Sequence, residues 1–418
     1  MRGSNLNSAR LEGSNLAGAD LRNADLRGAR LDGANLDRAN LSGALLEGAS
    51  FKGARLSHMI GADLSWEGAL LQGAILKGAQ LRGADLRGLH LEDADLSGAD
   101  LTSARFNHAK LARVNFSRSI ARGADFTASD LNEAVFEGVD LVGAIFNDCN
   151  LNGSRLIAAQ LRDVSWSNVS LSGAYLERAQ LNKVDWSGLN LNQAILDGAD
   201  LKDAKLVGTS MEGASLKDSA LDQADLSGAH LTSADLTGAS LNRTNLTQAR
   251  LTLAKLKGCS LVETDLTGSI LDQADLNGIE ATRTIFKETK LGRTIFNGAR
   301  LNELTLSEVD AVEAQFQGAK LNDVSFSNST FTRASFEGAD LRGLHLEQVR
   351  FGDVDFNGSD LSGVSFSGLS LEGAKLNGAK LSRTDFSHVN ARGANLSSAD
   401  LKGVTLDHAD LISAQLNN

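Results

Sequence analysis

Every fifth residue of this chain is large and apolar, in one unbroken frame. From Leu6 to Leu416 the frame holds 83 positions with no net insertion or deletion; leucine fills 58 and phenylalanine 16. The other nine are Gly61, Trp66, Ala121, Trp166, Trp186, Met211, Ala281, Ala311 and Ala391. We call this position the centre. Two residues before each centre lies a second biased position, alanine in 45 of the 83 repeats and otherwise mostly Ser, Thr, Val or Leu. The chain has 41 basic and 52 acidic residues, and none of them occupies either position.

That segregation points the two positions inward and the other three to solvent. Two inward residues flanking one outward residue is the alternation of a strand. A helix needs spacings of three and four, not a strict five, and a disordered chain has no reason to sort its charges. The outward residue between the inward pair is often Asp or Asn. The remaining two residues must turn the chain. Of 42 glycines, 39 lie two places after a centre, where a corner uses positive φ without steric cost. Each pentapeptide is therefore one short side and one corner. Stacked turns of such sides make an all-β solenoid.

The aromatic residues set the number of sides. Trp66, Trp166 and Trp186 share a phase of 20 residues and not of 15. Phe106, Phe126, Phe146, Trp166 and Trp186 are successive members of one 20-residue column, and Phe296, Phe316, Phe336 and Phe356 form a run on the opposite side. The column through Leu81, Leu101 and Leu141 has no Phe. Like rings stacked at strand spacing pack well, so four sides per coil are expected.

The motif Ala-Asp-Leu-x-Gly, as in Ala19-Asp20-Leu21, Ala84-Asp85-Leu86 and Ala339-Asp340-Leu341, resembles the pentapeptide-repeat family of bacterial and other proteins, over essentially the whole chain. The resemblance implies a right-handed quadrilateral β-helix of four pentapeptides per coil, in agreement with the aromatic phase. About 21 coils at roughly 4.8 Å each would make a rod about 100 Å long. Residues 1–418 are expected to form one β-helix without an inserted domain.

Departures from the repeat are informative. Ala281, Ala311 and Ala391 are small centres preceded by large residues at the second inward position, Ile279, Val309 and Val389; Gly61 has Met59 in that role. Volume is moved rather than lost, as a close-packed interior requires. Ala121 is preceded by Ser119, so a local shift that turns Ile120 inward, or a small cavity, is expected there. Residues 57–66 are the least regular. Ala62-Asp63-Leu64 reads as the motif displaced by three, which a bulge, a corner distortion, a binding feature or a tolerated packing variant would explain.

No constellation of catalytic residues stands out. The interior is a filled apolar column, and no insertion supplies an active-site loop. The seven histidines are all outward. His388 and His408 are one coil apart with Asp385 and Asp407 near, but solvated surface side chains are the expected state, and no metal or cofactor is assigned. Cys149 and Cys259 occupy inward positions as small core residues. The expectation is a non-catalytic protein. No apolar run approaches membrane-spanning length and no signal segment opens the chain, so the expected place is the cytoplasm, with export by a specialised system left open.

Net charge is −11, which argues against a direct grip on nucleic acid. Sorted by side, the charges balance on three faces. The face over the Trp column carries 14 acidic and five basic residues. Its acids include Asp85, Asp125, Asp148, Asp185, Asp225, Asp265, Glu288, Glu308, Glu347, Asp385 and Asp407. A linear acidic stripe would steer a basic protein partner, and this face is the candidate partner surface. Three readings of function stay open. The first is a scaffold or interaction rod that recognises a macromolecule through its flat faces. The second, implied by the resemblance, is a mimic of duplex DNA that binds and protects a type II topoisomerase such as gyrase. Against it, duplex DNA carries one charge per about 1.7 Å, and this rod only one net charge per roughly 9 Å. The third is a structural or effector part of a secretion assembly. The repeat also runs to both ends without a cap. Open coils expose strand edges, so either the rod self-associates or the chain is a portion of a longer protein; the favoured expectation is a homodimer through the C-terminal coil, around Leu406, Leu411 and Leu416.

Overall fold

The computed structural model describes residues 1–417, which divide into two compact units, Met1–Asp200 and Leu201 onward. Each unit is a β-solenoid, and no helix occurs among the described residues. The residue before a centre pairs in parallel with its equivalent 20 positions on: Asn5 with Asp25 and Asp95 with Asn115 in the first unit, Lys255 with Asp275 in the second. Four pentapeptides therefore make one coil. In the second unit four segments extend into a parallel sheet in sequence order: β1 (Glu280–Thr282), β2 (Arg300–Ser307), β3 (Lys320–Ser327) and β4 (His345–Glu347). The 20-residue register is kept, with Leu301 opposite Leu321 and Phe326 opposite Leu346.

The repeat is explained by where its five N–H groups go, since buried backbone donors must find acceptors. The centre donates to the next coil, as Leu6 N does to Asp25 O at 2.7 Å. The residue before the centre donates to the previous coil, as Asp25 N does to Ser4 O at 3.0 Å. The corner residue two after the centre also donates to the next coil, as Gly28 N does to Glu47 O at 3.0 Å. The residue three after closes the turn onto the centre carbonyl, as Ala29 N does to Leu26 O at 3.0 Å. Only the first residue after the centre is left. Where Asp or Asn stands before the centre, its side-chain oxygen takes this N–H, as Asp265 Oδ1 does from Thr267 N at 2.9 Å; elsewhere a side chain one coil back can serve, as Asp32 Oδ1 does for Lys52 N at 3.2 Å. Alanine is thus the small wall residue, Asp or Asn the local acceptor, leucine the core, and glycine the corner.

The corner is stricter than glycine usage suggests. Among the described residues, positive φ occurs at every position two after a centre, whether the residue is Gly143 (φ 70°) or Leu253 (φ 61°). Gly61, Gly292 and Gly352 lie elsewhere in the repeat and do not have it. A Cβ in this region costs about 1 kcal/mol or more. Leu253→Gly is expected to stabilise its unit by about 1 kcal/mol, because Leu253 is half exposed and loses little packing. Gly143→Ala is expected to cost about the same, although a Cβ there meets nothing within 4 Å. Chemical denaturation of the two variants checks the pair; equal signs would contradict it.

Facing ring ladders fill part of the leucine interior of each unit. In the first unit Phe106, Phe126 and Phe146 stack at 4.9 Å with planes within 3°. Phe116 and Phe136 stack at 4.8 Å on the opposite side, and the two ladders meet edge to face at 5.7–5.9 Å. In the second unit Phe296, Phe316 and Phe336 stack at 4.8 and 4.7 Å. The moved volumes are as expected: Ile279, Val309, Val389 and Met59 are buried beside their small centres. A Cβ on Gly61 would lie 2.4 Å from Met59 Cε, so the methionine fills that space.

Two local expectations change. Ile120 does not turn inward. It stays outward, 47% exposed, and pairs with Asp100 and Asp140 in the regular register. Phe116 and Phe126, the centres on either side of Ala121, approach each other there, so the frame holds without Ile120. The segment 57–66 contains no displaced repeat. His58 and Asp63 take the usual corner φ, and Leu64 and Trp66 are both inward. The strain appears at the end of the segment, against the coil before. Leu64 stands where alanine usually does, and the rungs Leu46 N to Ser65 O and Ser65 N to Ala44 O are not made.

Candidate functional site

The acidic face resolves into two kinds of carboxylate. Asp85, Asp125, Asp185, Asp225, Asp265 and Asp385 all stand immediately before a centre. Each accepts the N–H two residues on, from Arg87, Thr127, Ser187, Ser227, Thr267 and Ser387, at 2.9–3.4 Å. These six are parts of the turn. Asp85 is also held by Arg87 at 2.7 Å and Arg105 at 2.9 Å. Of the other five candidates, Asp148, Glu288 and Glu308 stand at corners, and Glu347 and Asp407 directly follow a centre, Glu347 as the last residue of β4. Asp148 Oδ1 accepts from Asn168 Nδ2 at 2.9 Å, and Glu288 pairs with Lys287 at 3.3 Å. Glu308, Glu347 and Asp407 are exposed, with no side-chain partner among the described residues.

The turn carboxylates are acid-sensitive parts of the fold. The Arg27 side chain, hydrogen-bonded to Asp25, holds that carboxyl down to about 2 from an ordinary 3.8. Arg87 lowers Asp85 and Arg342 lowers Asp340 in the same way. A carboxyl whose pKa is lower folded than unfolded contributes stability that is complete above its ordinary pKa and lost as pH falls through the folded value. Thermal midpoints should therefore be flat from neutral pH to about 5 and fall below about 4. Asp340→Asn, which keeps an acceptor oxygen, should flatten that fall; an unchanged pH profile would count against the assignment.

Elsewhere the charges neutralise one another along the stack. Glu263 lies between Arg243 and Arg283, both at 2.8 Å, and Arg283 reaches on to Glu303 at 3.2 Å. Glu313 lies between Arg293 at 2.6 Å and Arg333 at 2.7 Å. The His388 and His408 rings stack at 4.9 Å. Among the described residues no group of three or more His, Cys, Asp or Glu is placed to hold a metal ion. Cys149 and Cys259 are buried free thiols pushed up to about 12 by burial, donating to Phe126 O at 2.9 Å and Leu236 O at 3.0 Å. Leu406 and Leu416 are exposed and Leu411 is half-buried. No helix among the described residues is long and apolar enough to cross a membrane.

One feature escapes the periodic reading. A cleft of about 860 Å³ opens in the first unit between adjacent coils, floored by Leu161, Val164 and Trp166 and rimmed by Arg122, Arg162 and Lys183. The coil of Leu161 keeps its bonds to the coil before, through Leu141 N to Gln160 O and Gly143 N to Arg162 O, both 3.0 Å. Toward the coil after, Gln160 still pairs with Gln180, but Leu161 N to Gln180 O and Asp163 N to Asn182 O do not reach hydrogen-bond geometry. Crowding explains the separation. Val164 and Val184 replace alanine beside Trp166 and Trp186 in successive coils, and the two indoles cross at 88° instead of stacking. Trp166 Nε1 is buried without a hydrogen-bond partner. The rim charges are engaged in part: Arg122 with Asp140 at 2.5 Å and Arg162 with Asp163 at 3.5 Å.

The architecture has recognisable relatives. Among solved structures the chain is similar to QnrB1, described as a plasmid-mediated fluoroquinolone resistance protein, at 15% identity over 56% of this chain and 90% of that one, TM-score 0.27. It is similar to HetL, described as involved in heterocyst differentiation regulation in the cyanobacterium Nostoc sp. strain PCC 7120, at 22% identity over 75% and 91%, TM-score 0.17. It is also similar to Rfr23 from the cyanobacterium Cyanothece 51142, at 17% identity over 41% and 85%, TM-score 0.12. No curated protein matches the chain. The family model described as Pentapeptide repeats (8 copies) matches residues 4–43, 28–66, 59–102, 79–118, 109–148, 122–156, 149–188, 249–287 and 259–298. The model described as Pentapeptide repeat region matches residues 174–251, 279–356 and 329–416. With the five-residue frame, the 20-residue pairing and these matches covering it from residue 4 to residue 416, the chain belongs to the pentapeptide repeat family.

Proposed function

We propose that this protein is a non-catalytic interaction module whose second unit presents an acidic face to a basic segment of a protein partner. One observation carries the reading. Within the second unit, Glu308, Glu347 and Asp407 are exposed and have no side-chain partner among the described residues, whereas Asp225, Asp265 and Asp385 hold turns and Glu288 pairs with Lys287. Ladders of paired charge elsewhere leave little net field. An uncompensated acidic face attracts a basic partner at long range, so association is fast and salt-sensitive. Catalysis has no part in the reading: the groove of about 450 Å³ in the second unit is lined by Ser362, Ser382, Arg383 and Lys402, with no acid or histidine among them to act as a general base.

The test replaces Glu308, Glu347 and Asp407 together with lysine and leaves Asp385 alone, because its oxygen holds the Ser387 turn. The probe is a hexadecalysine peptide, titrated at several salt concentrations. The expected result is at least tenfold weaker binding by the variant, with a shallower salt dependence. Unchanged affinity and salt slope would sink the acidic-face reading. A DNA gyrase supercoiling assay separates the topoisomerase reading: inhibition by the native protein and not by the triple variant would favour it.

A further inference from the structure

All 16 Phe and all three Trp of this chain are centres; its one Tyr is not. Tyr175 stands in the outward position before a centre and is half-buried, in the parallel ladder between Arg155 and Ile195. The fold needs no aromatic ring there, since that position elsewhere holds mainly small polar or charged residues that water satisfies. Two neighbours along the stack, Val135 and Ile195, depart from the pattern too. Val135, Arg155, Tyr175 and Ile195 occupy four successive coils, and Arg155 lies over the Tyr175 ring at 5.3 Å while pairing with Glu137 at 2.8 Å. A tyrosine and an arginine among aliphatic side chains on a flat face is the composition of an interface centre, not of a solvated surface.

The same face continues toward the N-terminus as a shallow groove of about 460 Å³, lined by His58, Lys77, Gly78, Gly98 and Arg118, with Glu137 at the Tyr175 end. Glycine opens its floor. A Cβ on Gly78 would lie 2.5 Å from His58 Nδ1, so the imidazole lies across the next coil only because nothing projects from it. Lys77 and Arg118 have no carboxylate partner among the described residues, whereas Glu137 is taken by Arg155. The free charge of the groove is therefore positive, and an aliphatic and aromatic strip adjoins it. From Lys77 to Ile195 the face spans about six coil spacings, roughly 28 Å, the length of about eight extended residues.

We propose that this face of the first unit is a docking surface for an extended segment of a protein partner, with carboxylates over Lys77 and Arg118 and aliphatic side chains against Tyr175 and Ile195. It is distinct from the acidic face and complementary to the opposite charge. A chain carrying both faces joins two different partners. The segment binds as an extended strand on a preformed surface, with the ring and aliphatic contacts supplying affinity and the cations supplying orientation.

The single tyrosine makes the test site-specific. Full-length protein grown with 3-fluorotyrosine gives one fluorine resonance, which reports on residue 175 alone. The probe is the decapeptide Glu-Ser-Glu-Ser-Glu-Ile-Ser-Ile-Ser-Ile, used in this order and reversed, with a lysine-for-glutamate version as control. The expected result is a saturable shift with one of the two orders, at a Kd of about 100 µM or tighter. Val135→Ser with Ile195→Ser should weaken it at least tenfold. Lys77→Glu with Arg118→Glu should weaken it equally and remove its salt dependence. All four residues are outward, and unchanged melting shows that the variants fold. Three results would overturn the proposal: a resonance unmoved at millimolar probe, equal binding of the lysine control, or a shift that follows dilution of the protein alone, which would make this face a contact between copies.

Discussion

Replacing Phe126 with alanine is expected to destabilise the first unit by about 3–5 kcal/mol. Phe126 is fully buried and touches four other rings: Phe106 and Phe146 stacked at 4.9 Å, Phe116 and Phe136 edge-on at 5.7 and 5.9 Å. The truncation removes apolar area and leaves a void that the stack cannot close, because each coil is pinned to its neighbours by backbone rungs. The loss should be felt locally. In a stacked solenoid each coil contacts only adjacent coils, so stability is close to a sum of nearest-neighbour terms. Hydrogen exchange should rise first in the coils from Phe106 to Phe146 and leave those of Leu21 to Leu46 near the native rate. A uniform rise along the unit would show that the coils do not behave as neighbours. Phe126→Leu separates ring contact from bulk and should cost less than half as much.

The fold was legible because the repeat states its geometry many times. Period five, charge exclusion and the 20-residue phase of Trp66, Trp166 and Trp186 each answer one question: strand or helix, inside or outside, how many sides. The corner was only half legible. Glycine marks positive φ at Gly143, but Leu253 and His58 adopt it with nothing in their side chains to say so, because the hydrogen bonds of the coils on either side impose the conformation. The acidic face misled in a specific way. An aspartate before a centre reads as charge, yet Asp265 and Asp385 are there as acceptors for Thr267 N and Ser387 N. Asn35, Asn40, Asn115 and Asn245 fill the same position with the same bond and no charge, and they were the available signal. The cleft at Leu161 was not legible from period at all. No residue there breaks the frame. Only the summed volume of Val164, Trp166, Val184 and Trp186 across two stacked coils separates them, and that sum belongs to the stack rather than to any repeat.

Ala234→Asp should be as damaging as the loss of Phe126, while Ser233→Asp, one residue earlier, should be nearly silent. Ala234 is fully buried between Ala214 and Ala254 of the adjacent coils, all three without exposure. A carboxylate there meets only methyl groups and filled core, so its neutral form is favoured and its pKa rises by about three units or more. Three units correspond to about 4 kcal/mol at pH 7, before any cost of overpacking. Ser233 is an exposed corner residue with φ 57°, a conformation that aspartate tolerates better than most residues. The sign of the pH dependence distinguishes a buried charge from simple crowding. An acid whose pKa is higher folded than unfolded makes the folded state bind more protons, so the variant loses stability as pH rises from its unfolded pKa to its folded one. Ala234→Asp should therefore recover about 2 kcal/mol of the deficit between pH 7 and pH 5, a range in which the native protein, whose turn carboxylates are lowered, changes little. If the deficit is the same at both pH values, the aspartate has reached water, and the rule that keeps every charge of this chain off its inward positions is one of shape rather than of desolvation.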